Sequence, residues 1–193
     1  MSSLMQRTFI AYVEDRPGVL NRVTSLFRRR NYNIQSLTVG RTERAGVSRM
    51  TIVMEADDDA ARRLEANLYK LVDVLSVKDA TRAATVVREL ALVKVRADAS
   101  NRTHVMQVCD VFRARVVDVG PDALVAEITG NIDKIEGLVE VLRPFGILEM
   151  VRTGAVAMLR SAETSREGGA DDSGEHAAPG ASKETSKEEG LAA

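Results

Sequence analysis

The sequence has one cysteine, two histidines and no tryptophan, and these scarcities exclude whole classes of chemistry. A single thiol, Cys109, cannot form an internal disulfide. With only His104 and His176 beside it, no Cys/His cluster has metal-ligand spacing. A reducing compartment fits, and we expect a cytoplasmic protein. Long hydrophobic runs are missing too. Nothing approaches the roughly 18 apolar residues of a membrane span, and Met1 to Arg7 lacks the apolar core of a signal peptide, so we expect no membrane association. Nor is there a dominant sign of charge. The segment from Ser161 onward holds eight acidic and three basic residues, which leaves 24 basic against 20 acidic in positions 1–160. That excess is too small to argue for nucleic acid.

What is present is a body able to bury a core: 45% of the 193 residues are hydrophobic, enough for one or two domains. The segment 161–193 is rich in Gly, Ala, Ser, Glu and Lys and nearly devoid of large apolar residues. It cannot offset its ordering entropy, so we expect a disordered acidic tail that serves solubility.

Periodicity orders the rest. Thr8 to Val13 is β-prone and stops at a Pro/Gly turn, after which Val19, Leu20, Val23, Leu26 and Phe27 share a helical face. Asn33 to Gly40 and Ser48 to Glu55 flank the polar connection Arg41 to Val47 and read as a hairpin. Asp57, Asp58 and Asp59 signal a helix start, with Ala61, Leu64, Leu68 and Leu71 at helical spacing, and Val74 to Val77 is a last strand. This is β-α-β-β-α-β, the ferredoxin-like order. The order then recurs. A strand, Leu90 to Ala97, precedes a helical face of Val105, Val108, Cys109 and Phe112. Val116 to Val119 and Leu124 to Thr129 flank the turn Gly120-Pro121-Asp122. Ile135, Leu138, Val139 and Leu142 form another helical face, and Ile147 to Arg152 ends the repeat, with Ala155 to Leu159 as an extra edge. We expect an α+β protein of two tandem domains, residues 1–82 and 83–160, before the tail at 161–193.

No catalytic constellation is visible. His104 has no Ser, Cys or carboxylate at suggestive spacing, and Cys109 reads as a core residue. The three consecutive aspartates are explained by helix capping rather than by a metal. Arg28, Arg29 and Arg30 end the first helix, where cations complement its negative pole. An RNA-binding reading would need aromatic residues on the central strands, which offer Met50, Ile52 and Met54 instead.

Glu14-Asp15-Arg16-Pro17-Gly18 is the informative turn. Pro17 can stand at the first helical position, and Gly18 leaves the backbone N–H groups open to approach. Such a helix start can receive a carboxylate, gaining about 0.3 to 1 kcal/mol from the dipole. Asp15 would meet a ligand ammonium, and Val19, Leu20 or Ile34 would line an apolar wall. On spacing alone this is an amino-acid seat or an ordinary turn.

The run Asp15-Arg16-Pro17-Gly18-Val19-Leu20-Asn21-Arg22-Val23, followed by Tyr32-Asn33-Ile34-Gln35-Ser36-Leu37-Thr38-Val39 and Ser48-Arg49-Met50-Thr51, closely resembles the small-subunit family of bacterial acetolactate synthase (acetohydroxyacid synthase). The likeness continues through Lys70 to Val74, Arg88 to Val95 and Ile147 to Gly154, and stops at the tail. The resemblance implies ACT-type domains, homodimerisation through them, and a branched-chain amino-acid effector, valine foremost, bound between subunits. It implies a non-catalytic chain that activates the catalytic large subunit and confers feedback inhibition. Thiamine diphosphate, Mg and FAD would belong to that partner, and none to this chain. Family binding positions carry over to Asp15, Gly18, Val19, Leu20, Asn33, Ile34 and Thr38. Several members have asparagine where this chain has Asp15, and the second repeat, with Asp98-Ala99-Ser100-Asn101 in place of a Pro-Gly loop, is expected to hold no effector. The alternative is a free-standing ACT-domain sensor acting on another protein.

Overall fold

Alternation along the strands decides which face of each sheet is covered. In the computed structural model, which describes residues 3–161, strand β1 (Met5–Glu14) turns Phe9, Ala11 and Val13 into a core. Its intervening Ile10 joins a separate small cluster on the opposite face. Helix α1 (Val19–Arg29), strands β2 (Ile34–Arg41) and β3 (Val47–Ala56), helix α2 (Asp58–Leu68) and strand β4 (Val74–Asp79) complete the first unit. Its antiparallel sheet has the order β2-β3-β1-β4. Val23, Leu26 and Phe27 of α1 and Ala61, Leu64 and Leu68 of α2 cover the face carrying Met50, Ile52 and Met54. Leu71 lies beyond the end of α2 yet still packs on this core.

The second unit repeats the order. Strand β5 (Thr85–Arg96), helix α3 (Arg102–Val111), strands β6 (Arg115–Val119) and β7 (Ala123–Gly130), helix α4 (Ile132–Leu142) and strand β8 (Ile147–Arg152) form a sheet of order β6-β7-β5-β8. Its core contains Val93, Val95, Val105, Cys109, Ile128, Ile135 and Leu138. The fold is therefore α+β with a ferredoxin-like βαββαβ topology present twice, as expected. Strand β9 (Val156–Leu159), the expected extra edge, pairs with Thr85–Arg88. This is why β5 begins five residues before the expected Leu90. Apart from Ser161, the expected disordered tail lies outside the described residues.

The four helix starts differ. The Asp57 side chain caps α2 by accepting from the Ala60 N–H, and Asn131 caps α4 by accepting from that of Lys134. Before α3, Asp98 accepts from the backbone N–H groups of Ser100 (2.8 Å) and Asn101 (3.3 Å). Among the described residues no side chain caps α1 or α3. The N-cap of α1 is Gly18 at φ 87°, a left-handed conformation that suits glycine. The helix therefore begins at Val19, and Pro17 stands before it rather than at its first position, because the chain reverses at Gly18.

Two stability tests follow from this packing. Phe27 is 1% exposed and meets Tyr32 edge-on at 6.3 Å. Phe27→Ala is expected to lower unfolding free energy by about 3–5 kcal/mol in urea titration. Val72→Ala, at a side chain 95% exposed, should change it by less than about 0.5 kcal/mol. The hydrogen bond from the Ser100 side chain, with those from the backbone, holds the Asp98 carboxyl below its ordinary pKa. A lowered folded-state pKa contributes stability above the unfolded value of about 3.9 that is lost as pH falls through the folded one. Asp98→Ala should thus lower the urea midpoint at neutral pH, and the difference from the parent should shrink in acid titration below that value.

Candidate functional site

The loop between β1 and α1 is held both by its neighbours and by its own side chains. The Asp15 N–H donates to the Gly46 carbonyl at 2.8 Å, and the Glu14 N–H donates to that of Asp73 at 2.9 Å. The Asp15 carboxylate pairs with Arg41 Nε at 3.2 Å and accepts from the Ser48 hydroxyl at 3.2 Å. The Arg41 side chain is 87% exposed and that of Asp15 38%, so the pair sits in water and contributes little to stability. An incoming ammonium can share or displace so weak a partner. Asp15, Gly18 and Leu20 are exposed, while Val19 is buried in the core. Of the three apolar residues expected to wall the seat, Val19 points inward and Ile34 packs partly on the core. Only Leu20, 43% exposed, stands open to a ligand.

Register places the other candidates at a distance. β1 and β2 both pair antiparallel with β3 and so run parallel to each other. Glu14 pairs with Val47 and Arg41 with Ser48, so the loop lies at that end of the sheet; Ile34 pairs with Met54 at the other end. Six or seven residues of strand separate the two ends, roughly 20 Å at about 3.3 Å per residue. Asn33 is exposed just ahead of Ile34. Thr38 lies opposite Thr51, midway along β2 on the face away from the helices. Within one chain, Asp15, Gly18, Val19 and Leu20 are brought together, whereas Asn33, Ile34 and Thr38 line the edge strand and do not meet them.

Sequence reasoning missed the residues that steady this loop. Arg41 and Ser48 reach Asp15 only through strand pairing, and no local spacing announces them. Arg22, on the first turns of α1, holds the buried Asp73 through contacts of 2.6 and 3.1 Å, which ties the helix start to the turn before β4. Arg7, 3% exposed, pairs with Asp58, so Asp58 serves an ion pair as well as the start of a helix. The hydrogen bond from Arg7, aided by Arg82, holds the Asp58 carboxyl below its usual pKa. In the second unit Arg152 grips Glu89 through two bonds of 2.8 Å and also pairs with Glu136.

The other reactive candidates are dispersed. Cys109 is fully buried, and burial pushes its thiol pKa up, which leaves it inert. His104 is exposed on α3. Among the described residues no group of three or more His, Cys, Asp or Glu is placed to hold a metal ion, and no helix is long and apolar enough to cross a membrane.

Comparison with known proteins agrees with both halves of the chain. Residues 9–76 match the model of the AHAS small subunit-like ACT domain, and residues 88–161 match that of the small subunit of acetolactate synthase. A probable acetolactate synthase small subunit from Methanothermobacter thermautotrophicus is 49% identical over 155 residues, covering 80% of this chain and 92% of that protein. The acetolactate synthase small subunit of Bacillus subtilis is 47% identical over 160 residues, covering 82% and 93%. The crystal structure of the Thermotoga maritima acetolactate synthase small subunit superposes with a TM-score of 0.75 at 37% identity, covering 81% and 98%. The ACT-type fold, the sequence motifs and these relatives agree, and the chain belongs to the small-subunit family of acetolactate synthase, with the regulatory role that family implies.

Proposed function

We propose that this chain activates the thiamine-diphosphate-dependent catalytic subunit of acetolactate synthase and makes it sensitive to feedback inhibition by a branched-chain amino acid, valine foremost. The chemistry, with thiamine diphosphate, Mg and FAD, belongs to the catalytic partner. This chain supplies the sensor.

The observation that carries the reading is a contrast between the turns ahead of α1 and α3. Neither helix has a side-chain cap among the described residues. In the turn ahead of α3 the Asp98 carboxylate already accepts from the N–H groups of Ser100 and Asn101. Ahead of α1 the N-cap is the left-handed Gly18, and the nearby Asp15 carboxylate turns to Arg41 and Ser48 instead. A ligand carboxylate would there meet a turn that lacks a counterpart of Asp98. Asp15 would receive the ammonium, and Leu20 would meet the side chain.

The remaining positions, Asn33, Ile34 and Thr38, come into play in a homodimer. β2 is an edge strand of the first sheet. If two copies pair β2 against β2 about a two-fold axis, the strands run antiparallel. The Asn33 end of one copy then lies beside the Arg41 end of the other, where the partner's effector loop sits. The effector would thus be held between subunits and would favour one arrangement of the dimer. Only such differential binding can alter the catalytic partner, and about 1–3 kcal/mol of coupling changes its state some 5- to 150-fold. Submillimolar affinity requires about 4–6 kcal/mol in all. Discrimination among valine, leucine and isoleucine rests on about 1–3 kcal/mol per methylene.

The deciding experiment adds the purified chain to the cognate catalytic subunit and measures acetolactate formation with and without each branched-chain amino acid. Activation, with inhibition by one of them, is expected; failure to activate would instead favour a sensor with a different partner. Gly18→Asp places a carboxylate at the helix start and strains the left-handed N-cap. It should raise the effector concentration needed for half-inhibition by at least about tenfold, equivalent to about 1.4 kcal/mol, while activation persists. Undiminished valine sensitivity in that variant would show that the site lies elsewhere.

A further inference from the structure

Between β8 and β9 the chain crosses beneath the edge strand proposed to complete the effector site. The Ala155 N–H donates to the Ser36 hydroxyl at 2.9 Å, and the Thr38 hydroxyl donates to the Thr153 carbonyl at 3.4 Å. Gly154 stands between them at φ 81°, so close that a Cβ there would lie 2.7 Å from Ser36 Oγ and 3.1 Å from Thr38 Oγ1. Both the left-handed backbone and the close approach call for glycine.

The crossing segment is anchored firmly on its other side. Thr153 donates its N–H to the Leu90 carbonyl at 3.0 Å, and its hydroxyl accepts from the Leu90 N–H at 3.1 Å. The preceding residue, Arg152, joins Glu89 on β5 to Glu136 on α4. Just beyond it, the Ala157 carbonyl accepts from Arg49 of β3. One short stretch of chain thus touches β2 and β3 of the first sheet and β5 and α4 of the second unit. Among the described residues β2 is an edge strand with β3 as its one neighbour in the sheet. The two hydrogen bonds from beneath add to the ladder it shares with β3.

We infer that Gly154 and Ser36 are positioning residues that tie β2 to the second unit, so that a shift of β2 on effector binding is shared by Arg152 and the second sheet. This rests on the reading of β2 as part of the effector site. By linkage, a contact that holds β2 in one position must in turn feel anything that biases that position.

The test uses the full chain and two kinds of readout. In the first, without effector, amide hydrogen exchange across residues 34–41 is compared with that of β1 in the parent, Ser36→Ala, Gly154→Ala and Arg152→Gln. Arg152→Gln is the informative variant because Arg152 makes its ion pairs within the second unit. Exchange in β2 is expected to quicken about tenfold in all three while β1 changes little. Unchanged β2 exchange in Arg152→Gln, or equal quickening throughout the chain, would overturn the inference. In the second, the holoenzyme reconstituted with Ser36→Ala should need about tenfold more valine for half-inhibition, with calorimetric valine binding within about threefold of the parent. Inhibition identical to the parent's would also overturn it. A parent chain that shows no response to any branched-chain amino acid would refute the proposed function instead, and the exchange comparison would still decide the tie between β2 and the second unit.

Discussion

Ile10, Ala80 and Ala157 are buried together on the face of the first sheet that its helices leave bare, with Tyr12, Val87 and Leu159 packed around them. A four-stranded sheet with helices on one side has a second face to cover or to solvate. Here part of that face is covered by the return of the chain after β8, and the cover is small, apolar and close. Much of the architecture between the two units depends on this contact. It brings β9 alongside the first residues of β5, draws Arg49 to the Ala157 carbonyl, and carries the crossing at Gly154 under β2. Among the described residues the second sheet receives no matching cover: Leu92 and Val151 are paired across β5 and β8 and are exposed.

Electrostatics distinguishes the two repeats where packing does not. Their sheets share one strand order and their helices bury equivalent faces. In the turn ahead of the helix that follows the first strand, however, one repeat sets an aspartate on two backbone N–H groups and the other places a left-handed glycine at the N-cap. Two copies of a fold can thereby differ in ligand chemistry through a few residues of a single turn. The buried charges serve another purpose. Arg7 with Asp58, Arg22 with Asp73, and Arg152 with Glu89 each join segments far apart in the chain, and each fixes where an element begins or ends. Breaking such a pair leaves a charge without its partner, which favours one arrangement over its neighbours.

The order of elements was readable in the sequence because it rests on local periodicity. Met50, Ile52 and Met54 alternate as a strand must, and Val23, Leu26 and Phe27 fall on one helical face whatever surrounds them. Errors appeared where a boundary depends on a distant partner. β5 extends back to Thr85 because β9 is there to pair with it. The start of α1 after Pro17 has a local cause, the left-handed conformation of Gly18. The Val19 side chain, read as part of an apolar wall, packs in the core. The choice between two neighbouring directions on a helix depends on the sheet beneath it.

The sequence by itself determined the repeated βαββαβ order, the family, and the Pro/Gly turn at Asp15 to Gly18, since each is written in residue types at short spacing. Only the tertiary structure decided which groups meet that turn and which do not. Arg41 and Ser48 arrive beside Asp15 through strand register, and Asn33 and Ile34 are carried to the opposite end of the sheet by the same register. The contact between Gly154 and Ser36, 118 residues apart, could be settled in no other way. Its geometry comes from closing a sheet face over a long chain return, and such closure leaves no local pattern.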